Sequence, residues 1–313
     1  MVTIDLTTPP PPATSFLDGL PRRLALTLPE LRHVASLAGD APLPFDLVEA
    51  AGPAVPGGLE GRLGQSRGSA EDVAYAAALA SLHDPDDSLR RRGLITDDGV
   101  DPGLTGAIGL LATPTLALDI DVAAPGSQVK AWHRQAGNAV ATLATCDGLV
   151  FELAWFSVDQ WPGELARAAD IPDDIPLTES SVPEEIDLPF HLVDAIGEAL
   201  RASRADLVPV LMSQHGEGVV DGRAEPLADN VATTAVAAIH TEGRGRLRVL
   251  AARVADTATT DIGLVSWVLL ADGWHSLTPH QDEDEDDPRL RVRRTRPSDL
   301  ATELAPVLAQ VIA

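Results

Sequence analysis

The stretch VLAARVADTATTDIGLVSWVLLADGWHSLTP, from Val249 to Pro279, decides the fold of this chain. It reads as two long apolar strands, a tight turn at Asp272-Gly273 and a third strand. An Asp-Gly pair between apolar runs is a strong hairpin signal, because both central residues of such a turn take positive φ. The run from Ile262 to Leu270 is apolar on both faces and needs cover on both. The stretch therefore predicts an antiparallel sheet between layers of helices.

A similar set of strands is predicted in the first half of the chain. Apolar and polar side chains alternate from Thr115 to Val122, which is typical of a strand with one solvated face. Short turns then separate three further predicted strands at 128–135, 139–146 and 149–156, and the last of these turns is Asp147-Gly148. Four strands joined by short turns form one sheet.

The two sets of strands are interpreted as a duplication. The helix starts at Pro162 and Pro297 are 135 positions apart, whereas the two Asp-Gly turns are 125 positions apart, which places ten extra residues in the second copy. The acidic run at Asp282 to Asp287 and the strand-like RLRVRRT fall in that interval. The second set of strands is predicted at 235–241, 246–255, 262–270 and 274–278. We therefore predict a proline-rich tail at 1–18 and one α+β domain at 19–313, with halves at 19–175 and 176–313.

The charge balance limits the classes of partner. The chain carries 47 acidic and 23 basic residues, a net charge of −24, and such a surface repels nucleic acid and anionic lipid. Cys146 is the single cysteine, so an intramolecular disulfide is impossible, and we expect it in an apolar strand as an inert core residue. No window approaches the roughly 18 apolar residues that span a bilayer. These features predict a soluble cytoplasmic protein with no nucleic acid partner and no membrane insertion.

One motif supports an enzymatic alternative. Gly64-Gln65-Ser66-Arg67-Gly68 matches G-x-S-x-G, the nucleophile elbow of serine hydrolases, in which the serine occupies a strained turn between a buried strand and a helix. Here PGGLEGRL precedes the motif instead of a buried strand, and no histidine or acid is placed by motif. A loop serine is the preferred interpretation. A serine hydrolase that uses Ser66 stays open as the alternative.

Neither a metal nor a cofactor is predicted. Asp119 and Asp121 share one face of a strand, but a solvated face explains them without a divalent cation, and no third ligand is spaced nearby. The eight histidines form no zinc-binding pattern. Lys130, the single lysine, lies in a predicted strand, so there is no phosphate-binding glycine loop with its lysine.

The candidate partner-binding residues cluster on predicted strands. Trp132 alternates with Lys130 and Arg134 on one strand face, and interface hot spots favour exposed aromatic and arginine side chains. Packing of Trp132 under a helix is the competing interpretation. Trp267 is predicted to be core, and Trp274 is compatible with either role. Trp132→Ala is expected to weaken partner binding at a nearly unchanged thermal midpoint. The candidate set is Trp132, Arg134, Lys130, Asp119, Asp121 and Trp274.

Three phrases resemble the EspG family of type VII (ESX) secretion-associated proteins. RRRGLITDDGVDPGLTGAIGLLATPTLALDIDV, from Arg90 to Val122, resembles the stretch in which an Arg-Gly-Leu and a glycine turn precede a helix and the first strand of a meander. LTLPELRHVASLAG resembles the opening helix of the family, and RVADTATTDIGLVSWVLLADGWHSLTP is similar to its ending. The resemblance covers roughly residues 24 to 313 through diffuse motifs, none of them chemical. The preference for arginine over lysine is typical of actinobacteria.

This resemblance implies an α+β fold in which a central antiparallel sheet is flanked by helical bundles with pseudo-twofold internal symmetry. It also implies a non-enzymatic cytosolic chaperone or adaptor, because mycobacterial members bind the apolar tip of PE–PPE heterodimers and keep them soluble for export. The expected partner is a PE–PPE-like heterodimer or another helical ESX substrate. The short loop at Ala123 to Ser127 and the acidic insertion at Asp282 to Asp287 depart from the family pattern. An EspG-like adaptor with a different partner is therefore a further alternative.

Overall fold

The computed structural model describes residues 21–45, 84–216, 218–255, 258–281 and 288–312, which fall into two compact units. The first unit holds the described residues up to Leu118, together with Ala131–Gln160 and Val254–Ala258. The second holds Asp119–Lys130, Trp161–Arg253 and the described residues from Thr259 onward. The predicted tail at 1–18, the loop with Ser66 and the acidic run at 282–287 lie outside the described residues.

Two antiparallel hairpins and an edge strand form the sheet of the first unit, with the hydrogen-bonded order β1-β7-β6-β5-β4. Strands β4 and β5 continue into the second unit. The elements are β1 (Arg22–Thr27), α1 (Leu28–Leu37), α2 (Pro85–Arg91), β2 (Ile95–Thr96), β3 (Gly99–Val100), α3 (Pro102–Ala112), β4 (Leu116–Ala124), β5 (Ser127–Ala136), β6 (Ala139–Thr145) and β7 (Val150–Ser157).

Helix α1 begins directly at the end of β1 through a capping box. The Thr27 side chain accepts the backbone N–H of Glu30, and the Glu30 carboxylate accepts the backbone N–H of Thr27 at 2.9 Å. Glu30 also accepts the Ser88 hydroxyl at 2.7 Å and lies 3.4 Å from the Arg92 guanidinium. Burial opposes the ionisation of Glu30, but these bonds and the Arg92 charge outweigh it and lower its pKa. The carboxylate therefore links α1 to α2.

Six of the described strands of the second unit follow β4 in the hydrogen-bonded order β4-β10-β11-β12-β13-β8-β9. Helices α5, α6 and α7 pack against one another, and α4 packs against α8. The elements are α4 (Trp161–Ala168), β8 (Glu185–Pro189), α5 (Phe190–Arg201), α6 (Val208–His215), β9 (Val220–Asp221), α7 (Asp229–Thr241), β10 (Gly245–Ala255), β11 (Ala258–Leu270), β12 (Gly273–His280), β13 (Arg289–Arg294) and α8 (Leu300–Ile312).

The order of elements repeats, and the predicted α+β class is confirmed. In each copy a strand runs straight into a helix (β1 into α1, β8 into α5) and pairs with the last strand of a four-stranded meander (β7 and β13). A helix precedes each meander (α3 and α7), and a short 3₁₀ turn and a helix follow it (α4 and α8). This repeated order supports a duplicated unit, and the predicted boundary between the halves at 175 stays a prediction.

The alignment of the two Asp-Gly turns was wrong. Asp147-Gly148 joins the third and fourth strands of its meander, whereas Asp272-Gly273 lies between the second and third strands of the other. The turn equivalent to Asp272 begins at Gly137, 135 positions earlier, which is also the spacing of Pro162 and Pro297. The second copy therefore has no ten-residue insertion between this turn and the following helix. The remaining difference is a longer connection between β12 and β13 than between β6 and β7.

Three further local predictions were wrong. The turn residues between β11 and β12 are Ala271 and Asp272, because Leu270 pairs with Gly273, and only the glycine takes a positive φ, +131°. The predicted strand at 235–241 is the second half of α7, whose buried Ala232, Ala235, Val236 and Ile239 follow helical spacing. Cys146 is exposed, because β6 ends one residue earlier.

Strand β11 is covered on its two faces by different helices of the second unit. Trp267 donates its indole N–H to Glu303 of α8 at 2.7 Å, whereas the next residue, Val268, packs against the core of α5, α6 and α7. Since successive strand residues point to opposite faces, α8 covers one face and the three-helix core covers the other. Helical cover on both faces is confirmed here for the end of β11 near Leu270.

Helix α8 lies close against β11 at Gly263. A Cβ atom at Gly263 would clash with Cγ1 of Val307, and the φ of Gly263 lies outside the left-handed region. We predict that Gly263→Ala lowers the free energy of unfolding by about 1–3 kcal/mol in a chemical denaturation series, because the helix must shift. Adding Val307→Ala should recover part of that loss. A Gly263→Ala variant as stable as the wild type would contradict this packing.

His240 links α7 to α5. Its Nε2–H donates to the carbonyl oxygen of Val193 at 2.9 Å, and a Cβ atom on Gly197 would lie 2.7 Å from its ring, so only glycine admits the imidazole there. Burial lowers the pKa of His240, and the Arg201 charge acts in the same direction, against the opposing hydrogen bond to Val193.

The lowered pKa predicts a pH-dependent stability. In the unfolded chain the imidazole has its ordinary pKa of about 6.5. In the folded chain its pKa is lowered, so it binds a proton only at lower pH. The contribution of His240 is therefore present above about pH 6.5 and is lost as the pH falls toward the folded-state pKa. We expect the free energy of unfolding of His240→Gln to fall less than that of the wild type between about pH 7.5 and pH 5.5. His191→Gln, an exposed position on α5, is the control. Parallel curves for wild type and His240→Gln would refute the effect.

Candidate partner-binding surface

Trp132 and Arg134, the centre of the predicted set, are buried in the first unit. Trp132 is 9% exposed, and its ring centroid lies 5.8 Å from that of Phe45. Arg134 is buried as well, and its Nη1 donates to the carbonyl oxygens of Leu118 at 3.0 Å and His133 at 3.1 Å. For Trp132 the structure supports the competing interpretation, in which the ring is packed, because alternation along a strand does not reveal which face is covered. Their role in partner binding stays a prediction.

Trp274 is also a packed residue. It is 1% exposed, its indole N–H donates to the carbonyl oxygen of Ala169 at 2.8 Å, and its ring centroid lies 6.2 Å from that of Trp267. Trp267 is equally buried, so its predicted place in the core is confirmed. Both indole N–H groups are satisfied inside the second unit, as buried tryptophans require. Its 1% exposure leaves almost no surface of Trp274 open to a partner.

Asp119, Asp121 and Lys130 lie on the β4–β5 hairpin in the second unit, and all three side chains are partly exposed. The two aspartates occupy the polar face of β4, as the alternation predicts. Within the described ranges no three histidine, cysteine or carboxylate side chains are placed to hold a metal ion. Trp132 and Arg134 lie on the same hairpin, further along β5, and differ from these three residues in being buried.

Sequence reasoning missed the largest exposed apolar feature of β10 and β11. A Cβ atom on Gly245 would lie 3.0 Å from Cβ of Leu269, so residues 245 and 269 point to the same face. Alternation then places three β10 residues and four β11 residues together on the opposite face. These residues are Arg246, Arg248, Leu250, Ile262, Leu264, Ser266 and Val268.

The three-helix core covers only one end of this face. Val268 packs against it, but further along the strands Leu250, Leu264 and Ile262 are 48%, 56% and 69% exposed. We name the open part, formed by Arg246, Arg248, Leu250, Ile262 and Leu264, the uncovered strip. Contiguous exposed apolar side chains mark interaction sites more often than single ones do. The sequence RLRVL at 246–250 contained the signal, because every second residue of it is Arg246, Arg248 or Leu250 and these share one strand face.

A shallow depression of about 380 Å³ lies at the arginine end of the uncovered strip. It is lined by the β4–β5 turn at 123–125, by residues 243–246 and by Val268. Arg244 is one of the lining residues, and its guanidinium donates to the carbonyl oxygens of Pro176, Leu270 and Ala271. The short β4–β5 turn therefore borders the same surface.

The enzymatic alternative falls outside this description. Ser66 and its G-x-S-x-G motif are not among the described residues, so a serine hydrolase stays a prediction without structural support. No helix in the described ranges combines the length and apolar character needed to cross a membrane.

Neither a protein-family model nor a protein of curated function matches the sequence. The structure, by contrast, matches 14 chains of solved structures. One is the Mycobacterium tuberculosis type VII secretion system chaperone EspG5, in complex with the PE25–PPE41 dimer. The match has a TM-score of 0.60 and 12% sequence identity, and it covers 92% of this chain and 96% of that one.

This chain has the fold of EspG5. The resemblance read from the three sequence phrases is therefore confirmed at the level of the fold, over nearly the whole chain. Identity of 12% carries the architecture and not the individual contact residues. The surface residues of this chain thus have to be argued from its own geometry.

The burial of Trp132 predicts a stability effect opposite to the expectation from sequence. We expect Trp132→Ala to lower the free energy of unfolding by about 3–5 kcal/mol in chemical denaturation, because a large buried ring leaves a cavity. Lys130→Ala, two residues away and partly exposed, should stay within about 0.5 kcal/mol of the wild type. An unchanged thermal midpoint for Trp132→Ala would contradict its place in the core.

Proposed function

We propose that this chain is a cytosolic chaperone or adaptor that binds an apolar helical tip of a type VII (ESX) secretion substrate, PE–PPE-like, and keeps it soluble for export. The observation that carries the proposal is the fold shared with EspG5, which was solved in complex with the PE25–PPE41 dimer. The exposed apolar residues of the uncovered strip add independent support. The proposed action is binding alone, with no covalent step and no cofactor.

The uncovered strip is the proposed centre of the docking surface. An amphipathic helix binds by laying its apolar face into a groove or onto an open apolar surface. Leu250, Ile262 and Leu264 offer such a surface beside the three-helix core, so a helical tip would add the cover that the described residues do not give to this end of β10 and β11. Burial of the tip supplies the driving force and removes it from water, which is the protective effect of a chaperone.

The strip is too small to hold a substrate alone. Completing the burial of three half-exposed aliphatic side chains contributes about 3–5 kcal/mol, whereas micromolar affinity needs about 8 kcal/mol. The helices of the same unit expose further apolar side chains, namely Phe190 on α5, Val210 on α6 and Val231 on α7. We therefore propose that the substrate contacts the sheet face and these helices together, over the standard interface area of roughly 800 Å² per partner.

The cargo defines the alternatives. An EspG-like adaptor for a partner other than a PE–PPE heterodimer would use the same surface, because apolar burial does not distinguish between helical tips of similar shape. Coding sequences for PE, PPE or other ESX proteins beside the gene of this chain would favour the proposed cargo.

A matched pair of leucine substitutions tests the docking surface. We expect wild-type chain to co-purify with a co-expressed PE–PPE heterodimer, for which PE25–PPE41 and pairs encoded nearby are the first choices. Leu264→Ser should reduce the yield of heterodimer at least about tenfold, because it places a hydroxyl in the apolar contact. Leu37→Ser is the control, since Leu37 is 51% exposed on α1 in the first unit. Both variants should keep the wild-type thermal midpoint.

Two outcomes would overturn the proposal. One is equal loss of heterodimer for both leucine variants or for neither. The other is a fluorophosphonate probe that labels the wild-type chain and not Ser66→Ala, which would establish the serine hydrolase instead.

A further inference from the structure

We propose that Arg246 and Arg248 select the partner by its charge: they bind carboxylates that flank the apolar residues of the docked segment. This inference rests on the proposed function and adds the chemistry of the cargo. The partner surface is therefore an acidic amphipathic helix, with aliphatic side chains over Leu250, Ile262 and Leu264.

Neither Arg246 nor Arg248 makes a hydrogen bond or ion pair within the described part of the chain. The arginines of β13 differ from them. Arg289 and Arg291 lie 2.6 Å and 3.4 Å from the Asp187 carboxylate, and Arg293 lies 3.1 Å from Glu303. The chain has 47 acidic and 23 basic residues, so two cations that make no ion pair within the described residues can bind carboxylates of a partner.

Their position on β10 is fixed relative to the apolar residues. Arg246, Arg248 and Leu250 are consecutive residues of one strand face, so they are separated by steps of about 6.8 Å. Because Gly245 and Leu269 point to the opposite face, this face also carries Ile262 and Leu264. The two cations therefore lie at one end of the uncovered strip, beside the depression, and the three exposed aliphatic side chains lie toward its other end.

This spacing matches that of a helix lying along the strand. Residues four apart on a helix are about 6 Å apart along its axis and share one face. A helix whose aliphatic residue rests on Leu250 therefore brings the side chain four positions away to Arg248, and the one eight positions away to Arg246. Aspartate or glutamate at these positions would pair with the guanidinium groups, and lysine there would be repelled.

The arginines act on selection more than on total affinity. An exposed ion pair contributes at most about 1 kcal/mol, but the otherwise acidic surface repels an acidic partner. Two local cations reverse that repulsion only in the correct register, which favours the right orientation and speeds association at low salt. A positive charge on the cargo that faces either arginine removes this gain and adds repulsion. The Kd of a basic cargo segment should therefore be about tenfold higher than that of an acidic one.

Three synthetic peptides test the proposal. They are amphipathic helices of about 18 residues with identical apolar faces and glutamate, glutamine or lysine at the two flanking positions. Fluorescence anisotropy with the full chain at low ionic strength should give a Kd about tenfold lower for the glutamate peptide than for the lysine peptide, with glutamine between them. Raising the salt to about 0.5 M should narrow the difference, because exposed charges are screened.

Charge reversal in the protein provides the decisive arm. Arg248→Glu should invert the order, so that the lysine peptide binds more tightly than the glutamate peptide. Arg22→Glu is the control, because Arg22 is an exposed strand arginine of the first unit. Equal affinity for the three peptides, absence of measurable binding for all of them, or the same shift in both variants would overturn the proposal.

Heterodimer capture separates this proposal from the proposed function. If Leu264→Ser loses a PE–PPE heterodimer while Arg248→Glu retains it fully, the docking function stands and charge selection falls. If the wild-type chain captures no heterodimer but discriminates between the peptides by charge, the proposed cargo falls and the arginines keep their assigned chemistry.

Discussion

The architecture of the second unit depends on one constraint: a strand that is apolar on both faces must be covered on both. On one face of β11, α8 packs so closely that Gly263 has no room for a side chain, and Glu303 accepts the Trp267 indole. On the other face, the core of α5, α6 and α7 ends at Val268. Ile262 and Leu264 lie beyond that edge. The proposed docking surface is thus the part of β10 and β11 that the described residues leave without cover.

Much of the fold could be predicted from local patterns. The Thr27 cap, the alternating strand β4 and the terminal helix after Pro297 all follow from short-range chemistry that requires no knowledge of the rest of the chain. The sequence pattern failed where the composition of a segment is compatible with both a helix and a strand. Ala235 to Thr241 combines alanine, which favours a helix, with β-branched residues, which favour a strand, and in the structure it is a helix packed against α5 and α6. The Asp-Gly pairs misled because a common turn dipeptide marks a hairpin without saying which hairpin.

The candidate site was less accessible to sequence reasoning, for a definite reason. Period-two alternation separates the faces of a strand but does not identify the face that a helix covers. Trp132 and Trp274 were candidates for partner contact and instead fill the core, while Leu250 and Leu264, which were not candidates, are exposed. Burial is a long-range property, decided here by where three helices end. Fold similarity to EspG5 at 12% identity shares this limit, since it conveys the arrangement of elements and not the exposed side chains.

The turn between β6 and β7 has a practical consequence. Cys146 is exposed there and is the single cysteine of the chain. A maleimide dye would thus attach at one defined point of the first unit, with the native sequence intact. Because the uncovered strip belongs to the second unit, the dye would sit on a different unit from the surface it reports on. The wild-type protein is already a site-specifically labelable reagent for single-molecule and anisotropy measurements.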